Sequence, residues 1–168
     1  VVASLAKIEE RASNLEILKK AFSTNGLLAY KIENLVKDLE DLTNEYLAEL
    51  SDGRFSLEFV VTNDKLNVEI TDNAKVVDIL ALSSGELARV NTATLLAIRK
   101  LMSSISSSRI NALFLAEVIN VLDEQGREKL VEILLGEDLN TYIVSHGWTH
   151  PLLAKIEVIK EDNISRLE

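Results

Sequence analysis

Residues 110–115 are almost entirely apolar, short, and bounded by polar segments, the pattern of a strand buried on both faces. A helical stretch over about residues 124–135 follows, stopped by Gly136, and residues 141–145 read as a second buried strand. Strand, helix and strand in that order predict a parallel α/β core. The first apolar run closes on Ala116 and Glu117. A carboxylate there lies at the C-terminal edge of the sheet, where α/β proteins place their ligand sites. Taken alone, Glu117 fits either a group that orients water or a solvated carboxylate at a strand end.

The flanks are helical, then antiparallel. Leu5, Ile8, Ala12, Leu15, Leu18 and Phe22 recur three or four apart between charges, so residues 1–22 read as an amphipathic helix with a narrow stripe. Ser23-Thr24-Asn25-Gly26 breaks it. A second helix is expected over residues 27–50, with Leu28, Leu35 and Leu42 one heptad apart, a seam that fits a coiled coil or ordinary helix packing equally. After a turn at Ser51-Asp52-Gly53-Arg54, alternation over 55–61 and 66–71 around a turn at 62–65 predicts a β-hairpin, extended by a strand near 76–80. A long helix should follow Gly85, with Leu87, Val90, Leu95, Ile98, Leu101 and Met102 as its inner face, ended by the serine run 103–108. A final hairpin is expected from 156–159 and 164–167.

Composition narrows the function classes. No apolar run approaches the roughly 20 residues of a membrane helix, and a net charge of −9 argues against a broadly basic nucleic-acid surface. Cysteine is absent, which excludes disulfides and thiolate metal sites. The chain opens on Val1, inside what already reads as a helix, as expected of a segment of a longer protein.

Three motifs carry chemistry. Leu82-Ser83-Ser84-Gly85-Glu86 puts a hydroxyl and small residues at a helix start, where free N–H groups and the dipole favour an anion. The same residues also fit a plain capping box. Leu113-Phe114-Leu115-Ala116-Glu117 delivers its carboxylate to the sheet edge, and Val144-Ser145-His146-Gly147 delivers a histidine after the next strand. His146 and His150 stand four apart, but Gly147 and Pro151 argue against the helix that a metal pair would need.

In this order, with Asp123 after the second motif, the motifs resemble the C-terminal half of an ABC-type ATPase head. A Gly-rich loop ending in Gly-Lys-Ser/Thr occurs nowhere in the chain. The resemblance implies that Ser83, Ser84, Gly85 and Glu86 form the signature that contacts ATP held by an opposing subunit. Glu117 is then the catalytic carboxylate, His146 the switch histidine, Asp123 the D-loop aspartate, and Arg89 a basic residue coupling nucleotide state to conformation. Ala116 stands where the family has a Mg²⁺-binding Asp, and Ser84 where it has Gly. Ala offers no oxygen to a hard cation.

Ala21-Phe22, Gly26, Asn44-Glu45-Tyr46-Leu47 and Asp52-Gly53-Arg54-Phe55 are similar to the returning coiled-coil base of SbcC-like, SMC-related ATPases. That implies base helices over 1–50 and an ATPase C-lobe over 51–168. It further implies ATP and Mg²⁺ as cofactors, both requiring an N-terminal ATPase lobe, and a second copy of the head. The remaining partners would be an SbcD-like nuclease subunit and DNA in a bacterial or phage-infected cytoplasm, with no membrane. The role implied is double-strand-break repair or phage recombination, with no activity from this lobe alone. The alternative is a structural SMC- or RecN-like fragment or adaptor, in which Ala116 records lost catalysis.

Overall fold

In a computed structural model of the protein, residues 2–23, 25–62, 65–106, 111–162 and 164–168 are described. Two helices lead, α1 (Val2–Ala21) and α2 (Leu27–Ser51). Gly26 permits the turn between them, because a Cβ there would lie 2.2 Å from the Ala21 carbonyl oxygen. The apolar positions Leu5, Ile8, Leu15 and Leu18 of α1 stay exposed, as does Phe22 just after it. The α2 seam is exposed at Leu28, half-buried at Leu35 and Leu42, and merges into the core at Thr43, Tyr46, Leu47 and Leu50.

The end of α2 is built to receive a strand. Asp52 takes the left-handed conformation (φ 52°) and Gly53 follows at φ 75°, turning the chain into β1 (Phe55–Thr62). Asn44 then acts as a one-residue strand: Nδ2 donates to the Leu57 carbonyl at 2.8 Å, while Oδ1 accepts from Leu57 N–H at 2.7 Å. Glu40 accepts from Phe59 N–H at 2.7 Å. These side chains satisfy backbone groups of β1 that would be costly to leave unpaired. β1 pairs antiparallel with β2 (Lys65–Asp72), which pairs with β3 (Lys75–Val77). The third strand is shorter than expected, because Ile79–Ala81 turns into a single 3-10 turn capped by Asp78.

α3 (Ser84–Ile105) begins at the signature-like motif and ends within the serine run, at a cap on Ser106. Its buried face differs from the expected one: Val90, Thr92, Ala93, Leu96 and Ala97 are inside, whereas Leu95, Ile98 and Met102 are exposed. Two faces of this helix are apolar. The one carrying small residues at 93 and 97 goes inward, since alanines let neighbouring elements pack closely; α2 packs against this helix. The buried Thr92 hydroxyl is satisfied by the Ala88 carbonyl.

β4 (Ala112–Ala116) and β5 (Asn140–Val144) form the expected parallel pair, with α4 (Val118–Val121) and α5 (Glu124–Gly136) between them. Neither strand is buried on both faces. Leu113 and Leu115 enter the core, but Phe114 is 70% exposed and stacks on Tyr142, ring centres 4.9 Å apart. A parallel pair normally has both faces covered; here one face is packed and the other bare. The closing hairpin is β6 (Val158–Glu161) with β7 (Ile164–Leu167), its first strand beginning two residues later than expected.

The core unites Leu47, Leu50, Phe55, Ile70, Leu96, Leu115, Ile119 and Leu130 from both halves. Each such side chain contributes roughly 1.5–3 kcal/mol by leaving water. At one corner Glu137 draws three elements together: Tyr46 donates to Oε1 at 2.6 Å, Arg99 to Oε2 at 2.8 Å, and Lys100 lies 3.7 Å away. Residues 1, 24, 63, 64, 107, 108, 110 and 163, on which parts of the expected first helix, turns, serine run and first buried strand fall, lie outside the described residues.

Candidate functional site

Two groups of the motif residues lie at the ends of neighbouring elements, joined by α4. The first group is the start of α3. Ser83 caps the helix: its hydroxyl oxygen accepts from Glu86 N–H at 3.3 Å, and its own N–H and hydroxyl donate to Glu86 Oε2 at 2.9 and 2.8 Å. The capping box is thus formed, by the same residues that the resemblance assigns to the signature. Ser83's N–H and hydroxyl bonds hold the Glu86 carboxyl below its usual range, aided by Arg54 and opposed by burial. Gly85 is needed for a close approach, since a Cβ would sit 3.1 Å from the Val121 carbonyl oxygen of α4.

Arg89, one turn further along α3, reaches Asp123 at 2.5 Å. Asp123 also caps α5, accepting from Gly126 N–H at 2.8 Å. That backbone bond holds its carboxyl below the ordinary value; burial opposes it, and Arg89 adds to the lowering. The signature-like helix and the D-loop-like aspartate are thus in direct contact. Arg89 Nε is buried with no hydrogen-bond partner among the described residues, unusual for a buried donor. A cleft of about 260 Å³ lies alongside, lined in part by Asp52, Arg54, Arg89, Asp123 and Gln125. Gln125 donates to Asp52 across it, tying the end of α2 to α5.

The second group is the C-terminal edge of the parallel pair. The register sets Ala116 against Val144, so Glu117 and the Ser145–Gly147 bend leave the sheet side by side. Glu117 is exposed, holds a left-handed conformation (φ 62°), and starts α4. A non-glycine residue in that region is uncommon. Its N–H donates to the Val144 carbonyl at 3.2 Å, pinning the two strand ends together. His146 is exposed, and its backbone N–H donates to Asn120 Oδ1 at 3.4 Å. His150 pairs instead with Glu128 at 3.1 Å.

Two residues of this site escaped the sequence reading. Asn120, on α4, links the Glu117 turn to the His146 bend, and no pattern marks a lone Asn for such a role. Arg54 reads in the sequence only as a turn residue and a family marker, yet its guanidinium bonds both Asp72 and Glu86.

The donor set suits an anion better than a metal ion. Hydroxyl, small residues and a helix start gather at 83–86, whereas Ala116 contributes no oxygen. Among the described residues no group of three or more His, Asp or Glu could hold a metal. No described helix is long and apolar enough to cross a membrane.

No family model matches the chain. Its sequence is 43% identical over 170 residues to the probable exonuclease subunit 2 of Escherichia phage T5, an alignment that takes in all of this chain but 28% of that relative. Solved structures share the fold. One, from work on ATP-driven dimerization and DNA-stimulated activation of SMC ATPases, superimposes with a TM-score of 0.65 at 18% identity, over 83% of this chain and 87% of that one. An SmcHead bound to the C-winged helix domain of ScpA gives 0.62 at 20% identity, over 79% of this chain and 42% of that one. An Smc head domain with an extended coiled coil, derived from Pyrococcus furiosus and bound to the C-terminal domain of ScpA, gives 0.60 at 19% identity, over 79% and 34%.

Proposed function

We propose that this chain, which folds as the C-terminal lobe of an SMC-like ATPase head and is related along its whole length to a phage exonuclease subunit, supplies the signature half of a composite ATP site. An N-terminal lobe would bring the phosphate-binding loop, and a second head would be clasped by the signature. The observation that carries this reading is the Arg89–Asp123 contact, which gathers the signature-like helix start and the D-loop-like residue into one surface.

In this reading ATP supplies the phosphoanhydride to be broken, and the chain's residues bind and orient. The start of α3 offers N–H groups and the Ser83 hydroxyl to phosphate oxygens held by the partner head. Glu117 orients the attacking water and takes its proton, and the adjacent bend holds His146 toward the terminal phosphate. Arg89 and Asp123 carry the state of the site between α3 and α5. On the scale of the whole assembly, closing the heads around ATP gates an SbcD-like nuclease subunit on DNA in the cytoplasm of the infected or host bacterium.

The test adds the N-terminal lobe in trans and measures dimerisation with and without ATP. Dimers that require ATP and disappear in Ser83→Arg support the reading; dimers that ignore either change sink it. Ala116 favours a second reading, a structural or adaptor fragment that has lost hydrolysis. There ATP-dependent dimerisation would persist or vanish without any turnover.

A further inference from the structure

Arg54 immediately precedes β1, beside the start of α3, and all of its guanidinium is engaged. Nε and Nη2 donate to the two Asp72 oxygens at 2.9 and 2.7 Å, the forked geometry that suits a carboxylate. Nη1 lies 2.8 Å from Glu86 Oε1. The other oxygen of the same carboxylate, Oε2, takes the Ser83 hydroxyl and N–H. An unbroken chain of contacts therefore runs from Asp72 through Arg54 and Glu86 to Ser83.

Two consequences follow for an anion arriving at Ser83. The hydroxyl proton points inward, onto Glu86, so it must be released before it can be donated to a phosphate. The positive charge of Arg54 beside the same carboxylate draws its electron density and makes it a weaker acceptor for that proton. It also compensates a negative charge that would otherwise stand one hydrogen bond from the anion's seat and repel it. Both effects act in the same direction.

We propose that Arg54 is a positioning residue for the signature-like serine: through Glu86 it keeps the Ser83 hydroxyl available to the phosphate of a nucleotide held by the opposing head. This rests on the reading of residues 83–86 given above. Arg54 touches no phosphate itself and acts only on the carboxylate that restrains Ser83. It also joins the end of α2 to the nucleotide edge, since the Asp52-Gly53 turn that ends the helix leads directly into it.

The head is reassembled with its N-terminal lobe, and ATP-dependent dimerisation is titrated in Arg54→Ala, Glu86→Gln, the double variant and Ser83→Arg. Arg54→Ala should require roughly tenfold more ATP, the size of one charge-assisted contact. Adding Glu86→Gln should restore most of that loss, because removing the stranded charge removes both penalties. A purely structural role for Arg54 gives no such rescue. The proposal fails if Arg54→Ala keeps the wild-type ATP dependence or if the double variant is no better than Arg54→Ala. If Ser83→Arg also leaves dimerisation intact, the signature reading itself is wrong; if Ser83→Arg abolishes it, only the role of Arg54 is lost. Should Arg54→Ala lose its fold in a thermal melt, Arg54→Lys carries the same test, since one ammonium cannot serve both carboxylates in the guanidinium's geometry.

Discussion

Arg89 Nη2 meets Asp123 Oδ1 at 2.5 Å, yet the two partners sit in unlike surroundings, Arg89 13% exposed and Asp123 64%. The consequences of removing them are therefore unequal. Asp123→Ala deletes the cap on α5, worth about 1 kcal/mol. It also strands a mostly buried guanidinium, adding about 1–2 kcal/mol. Arg89→Ala leaves a carboxylate that still caps α5 from solvent and forfeits mainly the packing of its stem, about 1 kcal/mol. Urea unfolding at neutral pH should rank Asp123→Ala as the more destabilised, and the opposite ranking would mean that Arg89 matters for its packing rather than its charge.

The two glycines of α5 offer a matched comparison. At Gly136 a Cβ would meet nothing within 4 Å, so Gly136→Ala should stabilise by about 0.5–1 kcal/mol through the unfolded chain's lost freedom. At Gly126 a Cβ would lie 2.9 Å from Asp123 Oδ1 and 3.2 Å from Arg89 Nε and Nη2. The same helical gain is offset there by displacement of the Arg89–Asp123 pair, and Gly126→Ala should come out destabilised. Thermal midpoints of the two variants, shifted in opposite directions, are the expected result.

Glu137 makes stability fall in acid. Burial pushes its carboxyl up, but bonds from Tyr46 and Arg99, with the charge of Lys100, outweigh burial and hold it below its ordinary value of 4.5. A carboxylate lowered in the folded state stabilises fully above its unfolded pKa, and that contribution fades as pH falls from 4.5 through the lower folded value. Glu137→Gln should cost about 1.5–3 kcal/mol at pH 7, the range for hydrogen bonds to a charged group. It should also flatten the decline below pH 4.5. Denaturant midpoints at neutral and acid pH check both statements. An unchanged acid slope would assign the decline to Asp72, Glu86 or Asp123, whose carboxyls are also held low.

Much of this was legible in the chain. The short apolar runs expected at 110–115 and 141–145 locate the parallel pair, observed at Ala112–Ala116 and Asn140–Val144, and Gly136 marks the end of α5, because apolar runs and turn chemistry are local properties. Burial was not local. Phe114 and Tyr142 looked like core residues, yet they stack on an open face, and hydrophobicity alone does not say which face of a strand is covered. α3 misled for a related reason: Leu95 and Ile98 are larger than Ala93 and Ala97, but neighbouring elements select the face that permits approach. The motif resemblance singles out Ser83, Glu86, Arg89 and Asp123 one by one, as expected site residues. Their connection is not legible there, since a separation of 34 residues between Arg89 and Asp123 carries no signal that they touch. Arg54 and Asn120 were missed because their roles consist entirely of what they contact.

Ala116 gives the sharpest test of whether the lobe belongs to a working ATPase. It ends β4, is exposed, and lies in register with Val144 beside the left-handed Glu117. A side chain added there meets solvent rather than core, so Ala116→Asp should change stability by no more than about 0.5 kcal/mol. Chemically the change is large, because it supplies an oxygen at the sheet edge where a hard cation could be held next to Glu117. In a head reassembled with its N-terminal lobe, Mg²⁺-dependent ATP hydrolysis should rise by on the order of tenfold or more, given the effect of ordering a metal at a phosphoryl-transfer site. Phosphate release measured with and without Mg²⁺, beside an unfolding curve for the same variant, separates the two readings. Hydrolysis gained at unchanged stability means that the missing oxygen was what limited an otherwise intact site. Silence at unchanged stability means that residues beyond 116 have also left catalysis behind, and the lobe then acts as a nucleotide-sensing or structural element.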